Sequence, residues 1–532
     1  MTTVHLHETD AAQKSYRFKS TQQRPHVDVG QIHLLPRLAP TSFVYNSFIS
    51  KFPIMGFELP TRRDAIVIIH LVCCVCGIGS LSMPYIFSQA GPTYSSVAFV
   101  LNCFFNTYAT VALSLCFLKL RHLPHIHTYS DLAVHLWGPK GAYIIQATQL
   151  TSCFLIPVAF LVLGGATLLP AIFDGAIDVS TTVWILIMAI ILLPVVYIRV
   201  LHEAYVVLIT GAAATVLADA LATIDAYIAH GRELYEPTDN ISAAHVLDTF
   251  GAFALAYGAA VIVPQIQRHH PNPETMPRAL IWGMLIISFF YVTLGALGYS
   301  HFGCASPSNL LLQMSHTTPR RRVAYVLMQV HISIAFAVLL NPFFISCERV
   351  LFPTQALLDD EESQAEDAAF QEVETPKVPT KEDVSPSSTH DSNSASPVAK
   401  YSENTRRIVF RTVIVAIQCF LAMLAQSSFS DIADFIGASV MNICSVILPL
   451  LLYYKLFKDE MSRTHKVVCW AVIIVSIGLG AYSTVKAVTN IVDNASTYKL
   501  FESVASKPRT EYPYCPADYM QRKAPWLDSF TI

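Results

Sequence analysis

Residues Ile69 to Gly91 read IHLVCCVCGIGSLSMPYIFSQAG, an apolar run long enough to enter a bilayer that loses its helix-forming character in the middle. Gly77, Ile78, Gly79 and Ser80 place two glycines and a serine where a spanning helix should continue. Backbone N–H and C=O groups there lose their intrahelical partners. Within a membrane such irregular backbone survives only if it is packed inside protein or lines a water-filled cavity. The fold is therefore expected to be a bundle of helices that encloses this break.

Composition agrees with a bundle in lipid. The 532 residues are 53% hydrophobic and 14% charged, and the mean hydropathy is +0.45, which sets the chain apart from soluble domains of average usage. A net charge of -3 supplies no field for nucleic acid, so the expected surroundings are a lipid bilayer. Of the 12 cysteines, ten lie in apolar segments or at their ends, without the spacing or partner histidines of a zinc site. No metal and no organic cofactor is expected. Cys304 and Cys515 lie in polar segments that share a side in the topology below, where they can pair.

At about 20 apolar residues per crossing, eleven spans are predicted. They lie near Ala65 to Phe87, Tyr94 to Leu118, Ala142 to Leu169, Thr182 to Ile198, Glu203 to Ala229 and Ala243 to Ile266. The others are Leu280 to Tyr299, Val323 to Ser346, Ile408 to Gln426, Phe435 to Leu452 and Val467 to Val488. Lys and Arg in the short loops, among them Arg62, Lys119, Arg199, Arg268 and Lys458, fall on one side if the N-terminus is cytosolic. The sequons at Asn240 and Asn494 then face outward, where a glycosylation acceptor must be. Arg320, Arg321 and Arg322 run against this scheme, since they precede the eighth span on the outer side. Residues 1–62 are expected to be a disordered cytosolic tail without the apolar core of a cleaved signal peptide. Residues 63–488 form the membrane domain, and 489–532 an extracytosolic tail. Within the membrane domain, residues 353–404 are rich in acid, Ser and Pro, and read as a disordered cytosolic loop, with a cytosolic regulatory partner as its conceivable use.

The chemistry is expected where helices break. A half-helix beginning near Ser80 would aim its free N–H groups and positive dipole end into the gap, which suits a carboxylate. Small residues that merely let helices pack closely are the competing explanation. The sixth span carries a second interruption, Tyr257-Gly258-Ala259-Ala260 before Pro264. Two interrupted segments at corresponding places in oppositely oriented repeats mark a cargo site near the midplane. The backbone at Gly77, Ile78, Gly79 and Ser80 would hold a carboxylate. Carbonyls near Ala256, Tyr257 and Gly258 would hold an amine, and Phe253 and Tyr257 would wall the pocket unless they serve ordinary packing.

Three ionisable residues in apolar spans are candidates for carrying a proton. His70 and His331 carry imidazoles, the side-chain type whose ordinary pKa lies near neutral pH. Asp219 lies roughly 24 Å along the fifth span at 1.5 Å per residue, still inside a hydrocarbon layer of about 30 Å. A carboxylate at that depth is costly and marks function by default, although pairing with a hydroxyl such as Thr215 would make it a structural pin. Asp225 lies further out and is expected at the interface.

These segments resemble the amino acid/auxin permease family. HLVCCVCGIGSLSMPYIFSQAG is similar to that family's first span, a Gly-x-Gly followed by Leu, Pro and a later Gly. AYGAAVIVPQIQ resembles its sixth, and FSDIADFIGASVMNICSVILPLLLYYKLF its tenth, with Gly437 and Pro449 in the matching places. LLNPFFISCERVL, with Pro342 and Glu348, is a looser match to the end of the eighth. His70 lies fourteen residues before Pro84, the spacing of the first-span histidine in the proton-coupled transporters of this family. The resemblance implies an all-α polytopic membrane protein with the leucine-transporter fold, two inverted five-span repeats plus an eleventh helix. It also implies a fifth-span ionisable residue standing where related folds hold sodium. The expected activity is proton-coupled, alternating-access transport of small neutral amino acids across the plasma membrane or a vacuolar or endolysosomal membrane. A sodium-coupled symporter, with Ser333 helping to hold the ion, and an amino acid sensor are the alternatives. No nucleophile, base and orienting group occur together as an enzyme would need.

Overall fold

The computed structural model describes residues 59–123, 126, 128–173, 177, 179–197, 205–229, 235–239, 241–268, 270, 272–314, 318–352, 397–426, 429–496 and 514–519. Among the described residues no strand occurs, and nine helices are long and apolar enough to cross a membrane. Two shorter apolar helices cover Asp64–Val75 and Thr181–Tyr197. The protein is an all-α, multi-pass membrane protein.

Helix α1 (Arg62–Val75) starts on a capping box. Thr61 and Asp64 satisfy each other's backbone N–H groups, and Asp64, fully buried, also accepts from Arg278 at 2.8 Å. Helix α2 (Ile78–Lys119) is a long run that holds the end of the first predicted span and the whole of the second. They part at Gly91, whose φ of 70° and ψ of 166° lie outside helical space, a conformation that glycine enters without a Cβ penalty. Helix α3 (Tyr129–Trp137) lies between the second and third predicted spans and was not anticipated. Its capping box, Thr128 with Asp131, is nevertheless written in the sequence as Thr-x-x-Asp.

Helix α4 (Pro139–Val162) continues through a π-helical stretch, Leu163–Leu168, into α5 (Leu169–Phe173). Helices α6 (Thr181–Tyr197), α7 (Tyr205–Ala229) and α8 (Ala243–Ala256) follow, then the short α9 (Val263–Arg268) and α10 (Met276–Phe302). Helix α11 (Pro319–Leu351) and α12 (Pro397–Ala425) flank residues 353–396, which lie outside the described residues. The start of α12 corrects the expected loop boundary of 404. Proline suits a first helical turn, where its missing N–H is not needed. Helix α13 (Phe429–Ile436) leads through two π-helical stretches, Gly437–Met441 and Ile443–Ile447, into α14 (Leu448–Phe457). The last helix, α15 (Arg463–Ser496), runs eight residues past the predicted end at Val488.

Charged side chains tie the helix ends together. On the predicted cytosolic end, Glu348 of α11 accepts from Arg411 Nε at 2.7 Å and is bridged by Arg407 at 2.7 Å, with all three residues buried. On the opposite end, Arg320 pairs with Asp225 at 3.0 Å. Asp225 is fully buried rather than interfacial, because this cation covers it. The same pairing gives Arg320 a use on the side where basic residues were unexpected. Also at that end, Cys304 and Cys515 form a disulfide with Cα atoms 5.0 Å apart.

Candidate functional site

Helix α1 stops at Val75 because Cys76 turns extended (φ -75°, ψ 138°), and Gly77 adopts φ 157° and ψ -109°. Those angles mirror an ordinary β conformation, so only a residue without a Cβ takes them freely. Helix α2 begins at Ile78. The gap is thus Cys76 and Gly77, while Ile78, Gly79 and Ser80 form the first turn beyond it. The Ser80 hydroxyl donates to the Gly77 carbonyl at 2.9 Å, and the Leu81 N–H to the same oxygen at 3.3 Å. N–H groups of a first helical turn lack partners in their own helix and point back toward its start.

Helix α8 stops at Ala256. Tyr257 (φ -102°, ψ 7°) leaves the helix, and the chain resumes as a 3-10 turn at Ala260–Ile262 before α9. At Gly258 the place of a Cβ is taken by the Met441 methyl, 1.8 Å away, so a side chain there would have to push aside the end of that methionine. The two gaps are in contact. A Cβ on Gly79 would sit 2.7 Å from that of Ala256 and 3.2 Å from the Tyr291 hydroxyl.

Tyr291, on α10, joins the two helix ends chemically. Its hydroxyl lies 2.9 Å from the Val75 carbonyl and 2.9 Å from the Ala256 carbonyl, the terminal carbonyls of α1 and α8. A buried tyrosine must find an acceptor for its proton, and the orphan carbonyls of two helix ends supply it. Sequence reasoning missed this residue, although a tyrosine inside an apolar span was a signal. Tyr257 stands beside it with ring centroids 5.5 Å apart, and donates to Ser288 Oγ at 2.9 Å. Phe253 packs edge to face on Phe99 at 5.7 Å. Phe253 and Tyr257 are both fully buried.

His331 of α11 reaches the first gap. Its Nε2 would lie 2.8 Å from a Cβ on Gly77, while its Nδ1 stands 2.9 Å from the Gly211 carbonyl of α7. A carbonyl only accepts, so Nδ1 carries the proton and Nε2 of the neutral ring presents a lone pair. That nitrogen makes no hydrogen bond of ordinary geometry and faces the Cys76 backbone of the gap. Asp219, also on α7, is fully buried, and neither carboxylate oxygen has a hydrogen-bond partner. The Ser80 hydroxyl faces it. Thr215 does not pin it, for its own hydroxyl is likewise unpartnered.

The remaining candidates lie elsewhere. His70 is buried in α1, about 10 Å along the axis from Gly77 at 1.5 Å per residue. Ser333 turns its hydroxyl back on its own helix, to the Gln329 carbonyl at 2.8 Å. Asn240 lies outside the described residues, and Asn494 falls in the last turn of α15. Among the described residues no group of His, Cys, Asp and Glu has the geometry of a metal site.

The family described as "Transmembrane amino acid transporter protein" matches residues 65–489, four-fifths of the chain. The protein belongs to this transmembrane amino acid transporter family. Membership in a transporter family sets it apart from enzymes. Among its relatives is Amino acid transporter AVT1E of Arabidopsis thaliana, 19% identical over 424 residues that cover 79% of this chain and 71% of the relative. Amino acid permease 2 of Arabidopsis thaliana is 25% identical over 262 residues, covering 48% of this chain and 47% of the relative. A solved structure of MhsT in complex with L-phenylalanine aligns with 82% of this chain and 99% of its own, at 13% identity and a TM-score of 0.49. For this family member, the matched region contains both helix gaps, the Tyr291 bridge, His331 and Asp219.

Proposed function

We propose that the protein is a proton-coupled secondary transporter that binds a small neutral amino acid between the gaps of α1 and α8 and moves it by alternating access. The observation that carries this reading is the Tyr291 hydroxyl lying 2.9 Å from both the Val75 and Ala256 carbonyls. Those two oxygens belong to helix C-termini, which favour positive charge. An amino acid's ammonium is therefore a fitting guest there, and it takes over the oxygens that the phenol now holds. Its carboxylate goes to the N–H groups of the α2 first turn at Ile78, Gly79 and Ser80, across a gap kept narrow by the Gly79 and Ala256 contact. Phe253 and Tyr257 bound the space left for the side chain, which supports small substrates.

Proton coupling is supported by two ionisable side chains beside the same gap, each with a bare acceptor. A proton arriving at Asp219 turns its carboxylate into a donor, which the facing Ser80 hydroxyl can accept. A proton on His331 Nε2 makes the ring a donor toward the gap backbone while Nδ1 keeps its bond to Gly211. Either event adds a hydrogen-bond donor next to the substrate carboxylate site, which links loading of the proton to loading of the amino acid. His70, farther down α1, is a third candidate on the path to the cytosolic side.

Uptake of labelled small neutral amino acids into proteoliposomes tests this directly. An imposed proton gradient should accelerate uptake, a protonophore should abolish the acceleration, and replacing sodium with choline should change nothing. Uptake indifferent to the proton gradient would remove the coupling. Full activity in Gly79→Leu would remove the site.

A further inference from the structure

At the end of the bundle away from the Glu348 cluster there is a cavity of about 220 Å³. It is separate from the two helix gaps. Its inner wall includes Gln89, nine residues beyond Ser80 on α2 and so roughly 14 Å further along the axis. Asp248 of α8 and Asp431 and Asp434 of α13 line it as well. Lys486 bridges Asp248 and Asn490 donates to Asp431 at 2.9 Å, so three acidic side chains meet one ammonium and one amide on this wall.

The acidic residues alone would be a solvated cluster. The buried acceptors make the difference. Gln89 is 5% exposed, and its side-chain oxygen has no hydrogen-bond partner. Asp248 Oδ1, the oxygen not engaged by Lys486, is buried and also without a partner. A buried acceptor left bare is costly, so acceptors gathered on one cavity call for a donor-rich guest. The walls complete the pattern, because Tyr85 and Tyr514 line the same cavity with ring centroids 5.9 Å apart. Aromatic faces beside carboxylates attract organic cations.

We propose that this cavity is a second ligand site, outward of the substrate site, which takes an organic primary ammonium. Gln89 Oε1, Asp248 Oδ1 and the Asp434 side chain are the acceptors its N–H donors would meet, and the two tyrosine rings would flank its alkyl carbons. The volume exceeds that of a bare ion, since one water needs only about 10–15 Å³ of such space. Tyr514 belongs to the site through the Cys304–Cys515 disulfide, which holds the 514–519 segment at this end, and through the bond from Asp239 N–H to the Tyr514 carbonyl at 3.0 Å.

The test is equilibrium binding to the full-length protein in lipid nanodiscs, read by calorimetry, with 1,4-diaminobutane and L-alanine as separate probes. The first is an amine without a carboxylate and the second an amino acid, so the arms show which source of ammonium the cavity accepts. Asp434→Asn should weaken binding of the accepted probe at least tenfold. Gln89→Leu, which leaves the charge untouched, should weaken it at least fivefold and serves if the aspartate variant does not fold. Gly478→Ala, at a position where a Cβ meets nothing within 4 Å, should leave that binding within twofold. If neither probe binds the wild-type protein, or if Asp434→Asn and Gln89→Leu both leave the binding intact, the proposal is wrong. A failure of proton-driven uptake would not alter these titrations, so the two readings fall separately.

Discussion

The Tyr291 hydroxyl lies 2.9 Å from the Ala256 carbonyl and, at the same distance, from that of Val75, so one phenol closes the ends of two helices that are far apart in sequence. In Tyr291→Phe both carbonyls lose this donor. The ligand-free protein should lose about 1–3 kcal/mol of stability, and a saturating amino acid should raise the melting temperature more than it does in wild type, because the ammonium no longer displaces a hydroxyl. Thermal shift measurements with and without substrate check this. An equal ligand-induced rise in both proteins would sink the idea that phenol and ammonium share the carbonyls.

Gly79 and Gly478 make opposite predictions. A Cβ at Gly79 meets Ala256 at 2.7 Å, whereas nothing lies within 4 Å of one at Gly478. Gly79→Ala should cost about 1–3 kcal/mol through overpacking and depress uptake. Gly478→Ala should keep wild-type uptake and gain up to about 1 kcal/mol from helix propensity. Parallel melting curves and uptake rates decide, and indifference at Gly79 would show that the gaps need not touch.

Asp219→Asn preserves shape and removes the titrating group. Uptake driven by a proton gradient should fall at least tenfold, while exchange of internal for external amino acid without a gradient continues. His331→Gln should behave in the same direction. Gradient-driven uptake at the wild-type rate in both variants would exclude these two residues as proton carriers.

Glu348→Gln should be among the most damaging changes at the cytosolic end. It leaves Arg407 and Arg411 buried without their shared carboxylate, at a cost of about 3–5 kcal/mol for a broken buried ion pair. The double variant Glu348→Gln/Arg407→Gln restores the cluster's original net charge and should recover part of the loss. Thermal inactivation in detergent compares them, and a double variant weaker than the single one would contradict the charge argument.

The helical membrane fold was legible because lipid leaves the backbone few options. Apolar runs and their glycine interruptions mark spans by composition alone. What escaped was whatever depends on which helix sits beside which. Both Gly77 and Gly258 stood out in the sequence. That Met441 presses on Gly258, and that His331 rather than His70 stands at Gly77, depends on contacts between residues far apart in the chain. Asp225 was misplaced for the same reason, since its covering cation, Arg320, is 95 residues away. Helix α3 was overlooked although its local signal, the Thr128 and Asp131 capping box, stands in the sequence.

The bond between Cys304 and Cys515 closes a covalent ring that contains α11 through α15, with 211 positions separating its cysteines. A single backbone cut anywhere in that ring leaves the polypeptide in one piece. A protease site inserted between residues 353 and 396 should therefore yield a cleaved protein that migrates as one chain in non-reducing electrophoresis and as two after a thiol is added. The transporter can thus be nicked between its eighth and ninth predicted spans without its halves ever becoming separate molecules.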